Sequence, residues 1–140
     1  HPSVGYYEHM PAWRVKTYLG DEIWNDYFKF TFERNPWDRQ VSFYHFRSRD
    51  RDSERDFEMF LRNRNRALVD NWGIYAIDNR VAVDFLGKYE NLADDFAKVV
   101  ERIGLPDDLK LPTVNKSSKP DNPFAYRAFY SDWSRQRVAD

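Results

Sequence analysis

The sequence predicts an α/β fold in which a largely parallel sheet is layered against helices. Three observations predict it. Apolar residues alternate with polar ones from Phe28 to Glu33, which is the period of a strand. Directly afterwards Trp37, Val41 and Tyr44 recur at helical spacing. Far downstream Leu92, Phe96, Val99, Val100 and Ile103 form a second, longer helical stripe closed by Gly104. Strands that alternate with helices in this way imply βαβ layering; antiparallel pairing of the middle strands stays open.

The individual elements follow in order. The run "PAWRVKTYL", Pro11 to Leu19, places proline where a first helical turn tolerates it, puts Ala12, Val15 and Leu19 on one face, and meets Gly20 as a stop. In the strand, Phe28, Phe30 and Phe32 point one way and Lys29, Thr31 and Glu33 the other. Asn35 is placed to cap a helix whose first residue is Pro36. From Arg47 to Arg66 seven arginines mix with five acids, and only Phe57, Phe60 and Leu61 carry apolar spacing, so this stretch reads as a loop and an exposed helix. "NWGIYAIDNRVAVDFLGKYE" reads as two short strands around an "IDN" turn, with Val81, Val83 and Phe85 alternating. Asn91 precedes the long helical stripe as its cap. The proline-rich "LPDDLKLPTVNKSSKPDNP" is a loop, and a final helix runs from Tyr126 to Asp140.

Composition narrows the function. At 140 residues the chain fits one domain, 1–140. Its net charge of −1 offers no general attraction to nucleic acid or anionic membrane, and interspersed acids make the arginine-rich segment a solvated face. Yet 15 arginines stand against 7 lysines, and arginine is the better fork for carboxylate, phosphate or sulfate. Cysteine is absent, which removes disulfides and thiolate metal sites and suits a cytoplasmic setting. No run of 18 apolar residues encodes a membrane span, and "HPSVGYYEHM" is not a signal peptide.

The strand-to-helix junction is where such a sheet binds ligands. Arg34 stands at the end of the phenylalanine strand, beside a helix start whose N–H groups and dipole favour an anion. Ser42, two turns into that helix, can donate to the same anion, and Arg39 shares its face. The other reading pairs Arg34 with Glu33 or Asp38 and leaves Ser42 as packing.

The segment "FKFTFERNPWDRQVSFYHF" resembles the "FxFxRNPxxRxxSxY" signature of carbohydrate and bacterial sulfotransferases that use 3′-phosphoadenosine-5′-phosphosulfate (PAPS). The match runs through Phe30, Phe32, Arg34, Asn35, Pro36, Arg39, Ser42 and Tyr44. "VDFLGKYENLADDF", "LPTVNKSS" with "YRAFYSD", and "EHMPAWRVKTYLG" resemble further segments of that family in its order. The resemblance implies a P-loop-kinase-like sulfotransferase fold, a mostly parallel central sheet flanked by helices, and sulfuryl transfer from PAPS to a hydroxyl of a carbohydrate or similar acceptor, without a metal. It implies that Arg34 and Ser42 hold the 3′-phosphate, that Asn115, Lys116, Ser117 and Arg127 close over the cofactor, and that His9 serves as the base.

Two departures accompany the likeness. The lysine- and glycine-containing loop for the 5′-phosphosulfate does not precede His1, so the domain reads as partial, truncated at both ends, and poor at transfer by itself. Glu33 puts a carboxylate where relatives carry an apolar residue, and Gln40 replaces a common leucine. The alternative is a non-catalytic module that keeps the fold to bind a glycan or protein. A homodimer in which a second copy completes the sheet is a further reading.

Overall fold

The computed structural model describes residues 5–48, 56–62, 69–106, 108–109, 111, 122 and 124–140. The chain divides into two compact units interleaved in sequence: His1–Glu33 with Asp70–Lys110, and Arg34–Val69 with Leu111–Asp140. Helices and a small parallel sheet are both present, as the alternation of periods predicts.

In the first unit, helix α1 spans Ala12–Asp26 rather than stopping at Leu19. Gly20 does break it, with φ 81 and ψ 162, a conformation that only glycine holds without strain. Helix then resumes because the next turn carries Trp24, which is buried with Ala12 and Met10. Strand β1 is Phe30–Glu33, two residues shorter than the alternation suggests.

The α4 turn, Trp72–Tyr75, leads into a hairpin of β2, Ala76–Ile77, and β3, Arg80–Val81. Asp78 and Asn79 both take positive φ, 50 and 57, as a two-residue hairpin turn of the primed kind requires. The expected strand through Val81, Val83 and Phe85 is cut in two, and β4, Phe85–Lys88, leaves the hairpin to pair in parallel with β1. A clamp around Lys29 explains the cut. Asp84 N and Phe85 N donate to the Lys29 carbonyl at 2.8 and 3.1 Å, while Lys29 N donates to the Asp84 carboxylate at 2.8 Å. Lys29 Nζ lies 2.8 Å from the same carboxylate oxygen. Hydrogen bonding from Lys29 therefore holds the Asp84 carboxyl below its usual range. In the ladder Phe32 faces Gly87, where a Cβ would lie 2.6 Å from the phenylalanine ring. Glycine at this register lets the ring lie across β4.

Helix α5, Leu92–Ile103, packs on β4 and buries Val99 and Val100. Gly104 ends it in the left-handed conformation, φ 70, as its position predicts. Asn91 makes no side-chain capping bond. Its ψ of 29 lies outside the extended region that capping needs, because a 3₁₀ turn at Tyr89–Asn91 feeds straight into the helix. The buried Asp95 instead accepts from Lys88 N at 2.8 Å and Lys98 Nζ at 2.7 Å, which lowers its carboxyl pKa.

The second unit contains α2, Pro36–Ser48, α3, Phe57–Arg62, a 3₁₀ segment at Ala125–Phe129, and α6, Asp132–Ala139. Its core is Val41, Phe57 and Leu61, packed by Tyr44, Phe60, Tyr126, Tyr130 and Val138. The helix expected to be exposed is thus half core: Leu61 is fully buried, whereas Met59 on the opposite side is 58% exposed. The final helix is also split. Ser131 is extended and caps α6 reciprocally with Ser134, so Tyr130 ends one element and Asp132 begins the next. Among the described residues no helix is long and apolar enough to cross a membrane.

Candidate anion site

The second unit begins with the motif that drew attention in the sequence. Asn35 caps α2 as its position predicts: its Oδ1 accepts from Trp37 N at 3.1 Å and Asp38 N at 3.3 Å. The Asn35 carbonyl accepts the first helical bond, from Arg39 N at 2.8 Å. Pro36 has no N–H to offer. This corrects one expectation. The N–H groups of Trp37 and Asp38 are already engaged, so an anion at this terminus meets the helix dipole and side chains rather than those two donors.

Arg34 donates from Nε to Asp38 Oδ2 at 2.6 Å, and both side chains are about a quarter exposed, at 26%. Of the two carboxylates weighed as its partner, Asp38 takes that bond. Asp38 and Ser42 share a face of α2, one turn and about 6 Å apart along the axis, and the ion pair holds the Arg34 guanidinium at the Asp38 end of that face. Ser42 is half-buried there. Arg39 is half-buried on the adjoining turn.

Next to the cap lies a cleft of about 490 Å³ lined by Asn35, Trp37, Tyr126, Arg127, Tyr130 and Arg135. Arg127, singled out from the sequence, is brought here by the 3₁₀ segment, its guanidinium 4.6 Å from the Phe124 ring centroid. Tyr130 donates its hydroxyl to the Trp37 carbonyl at 2.8 Å, and the Trp37 indole N–H donates to the Arg135 carbonyl at 3.2 Å. Burial pushes the Tyr130 phenol pKa up, with the Asp38 carboxylate and Tyr126 adding to it. Arg34 and Ser42 are not among the described lining residues, although Arg34 directly precedes Asn35 in the chain.

The remaining candidates are placed differently. His9 belongs to the first unit, exposed in the turn before α1, with φ 61. Asn115, Lys116 and Ser117 lie outside the described residues. His45 is exposed on α2 between the Tyr44 and Phe129 rings, 5.3 Å from each centroid. Among the described residues no group of three His, Cys, Asp or Glu side chains could hold a metal ion. Sequence reasoning missed Trp37, Tyr130 and Arg135 as cleft residues. Trp37 carried only a helical-stripe signal, and nothing local ties Arg135 to a residue 98 positions away.

Comparison with known proteins identifies one family. The sulfotransferase family model matches residues 8–139. An uncharacterized protein from Archaeoglobus fulgidus is 38% identical over 112 residues, covering 71% of this chain and 87% of the relative. No solved structure matches. With the family match spanning nearly the whole chain, the chain belongs to the sulfotransferase family.

Proposed function

We propose that this chain is a PAPS-using sulfotransferase domain that acts on a hydroxyl of a carbohydrate or similar acceptor. The observation that carries the reading is the Arg34–Asp38 ion pair at the start of α2, with Asn35 capping the helix and Ser42 one turn beyond Asp38. The donors there suit a tetrahedral dianion: a guanidinium held in place by Asp38 and a hydroxyl one turn beyond it. In this reading Arg34 and Ser42 hold the 3′-phosphate of the donor nucleotide. Asn115, Lys116, Ser117 and Arg127 are proposed as further donor contacts, and an imidazole nitrogen of His9 takes the proton of the acceptor hydroxyl. When bound, PAPS supplies a sulfuryl group whose bond to the phosphate breaks as one to the acceptor oxygen forms. The chain's own residues then act by position and charge, the usual means of catalysis for such transfers.

The second reading, a non-catalytic binding module, expects Arg34 tied up with Glu33 and no pocket beside it. A cleft lined by the next residue, Asn35, favours the first. Calorimetry with 3′,5′-adenosine bisphosphate tests the donor site. Wild type is expected to bind, Arg34→Ala to bind roughly 10- to 100-fold more weakly, and Ser42→Ala up to about tenfold more weakly. Absence of binding at millimolar nucleotide would refute the assignment.

A further inference from the structure

Helix α5 has two apolar faces. One packs on β4, with Val99 and Val100 buried. The other follows the helical spacing of Ala93, Phe96, Ala97 and Val100, yet Ala93 and Ala97 are exposed. Past α5 the chain folds back. Leu105 N donates to the Val100 carbonyl at 3.0 Å and Gly104 N to the Glu101 carbonyl at 3.2 Å, the paired bonds of a Schellman ending. Leu109 N then donates to the Pro106 carbonyl at 3.1 Å. This turn stands Leu109 beside the helix across a groove of about 410 Å³, which Lys98 and Glu101 also line. Leu105 and Leu109 stay 43% and 45% exposed.

We propose that this groove is the contact surface of a symmetric dimer, in which α5 of a second copy lies antiparallel along it. Charge and shape both point to a second copy as the occupant. A two-fold axis crossing α5 between Val99 and Val100 sets Lys98 level with the partner's Glu101. The same axis sets Glu101 level with the partner's Lys98, so one interface closes both ion pairs. Lys98 Nζ already lies 2.7 Å from Asp95, but its side chain is 62% exposed and its ammonium has further donors. Ala97 flanks the axis on both sides, and its small side chain lets the two helices approach closely. The exposed Leu105 of each copy comes to the Ala93 end of the other helix, large against small. Such a dimer leaves the edges of the β1–β4 sheet unused, which separates it from one that completes the sheet. It stands independently of the sulfotransferase reading.

A helix of 12 residues is about 18 Å long, so the contact is a small one and a dissociation constant in the micromolar range is expected. Sedimentation velocity of the full chain, from about 1 μM to about 1 mM, reads it. Wild type should pass from monomer to dimer within that range, and added salt should weaken the dimer. Ala97→Glu puts a charge at the axis while keeping a good helix former, and should weaken association at least about tenfold. Lys98→Glu and Glu101→Lys should each weaken it similarly, because like charges then face one another at both pairs. An equimolar mixture of those two variants should associate again, because both facing pairs are then opposite in sign. Melting followed by circular dichroism checks that each variant is folded. A wild type that stays monomeric throughout would overturn the proposal and leave the groove to a different occupant. So would a dimer that survives Ala97→Glu unchanged, which would move the contact to another surface such as the sheet edge. A mixture of the two charge variants that fails to associate would overturn it as well.

Discussion

Asn35 offers a way to separate the folding role of the junction from its binding role, because two substitutions push the two roles in different directions. The Asn35 side chain satisfies two backbone donors of α2, at 3.1 and 3.3 Å. Arg34, which precedes it, holds its guanidinium against the second capped residue, Asp38. Replacing Asn35 by alanine removes the cap and should cost about 0.5–2 kcal/mol. That corresponds to a fall in melting temperature of a few degrees for a domain of this size. Replacing it by aspartate keeps a capping oxygen and adds a charge that the helix dipole favours, so stability should hold or rise slightly. The same aspartate sets a negative charge beside the proposed phosphate position. At a separation of about 8 Å and an effective dielectric of about 20, two unit charges repel by about 2 kcal/mol. Salt screening reduces this, so a drop in nucleotide affinity of about tenfold is expected. Thermal unfolding followed by circular dichroism reads the first effect, and calorimetry with 3′,5′-adenosine bisphosphate reads the second. The reasoning fails if Asn35→Ala melts like wild type, or if Asn35→Asp binds nucleotide as tightly as wild type does.

Two further outcomes follow from the packing. Leu61 is fully buried among Val41, Phe57 and their neighbours, so Leu61→Ala should destabilise by about 2–5 kcal/mol, against less than about 0.5 kcal/mol for the exposed Met59→Ala. Chemical denaturation of both variants checks this, and similar midpoints would show that α3 is not core. The Asp84 carboxyl, whose pKa Lys29 lowers, contributes stability that is present above the ordinary carboxylate range of about 4 and is lost as pH falls through its lowered folded value. Asp84→Asn should therefore flatten the acid limb of the stability profile below about pH 4 while lowering stability at neutral pH. An unchanged acid limb would count against the Lys29 clamp.

What was legible in the sequence was local. Asn35 and Pro36 start α2, Gly104 stops α5, and the Asp78–Asn79 pair turns the hairpin, because each depends on the backbone preference of one or two residues. The shared face of Asp38 and Ser42 belongs to the same class, since a helix places residues four apart on one face wherever it sits. Gly20 shows the limit of such signals. It breaks α1 as glycine should, yet the helix resumes because Trp24 finds a buried place, a fact with no local sign.

The rest depended on partners distant in the chain. Lys29 and Asp84 sit 55 positions apart, and their mutual bonds decide where β4 begins. Phe57 and Leu61 lie next to a dense run of charges and read as surface until the aromatic rings of Tyr44, Phe129 and Tyr130 close over Phe57. The cleft is the furthest case, because Trp37 and Arg135 meet only once α2 and α6 pack. By itself the sequence determined the family, the strand-to-helix junction and the residues that face along α2, all consequences of short-range geometry. Tertiary structure alone decided which of its 15 arginines share a cleft with aromatic rings, because burial and long-range hydrogen bonds, not backbone preference, bring those side chains together.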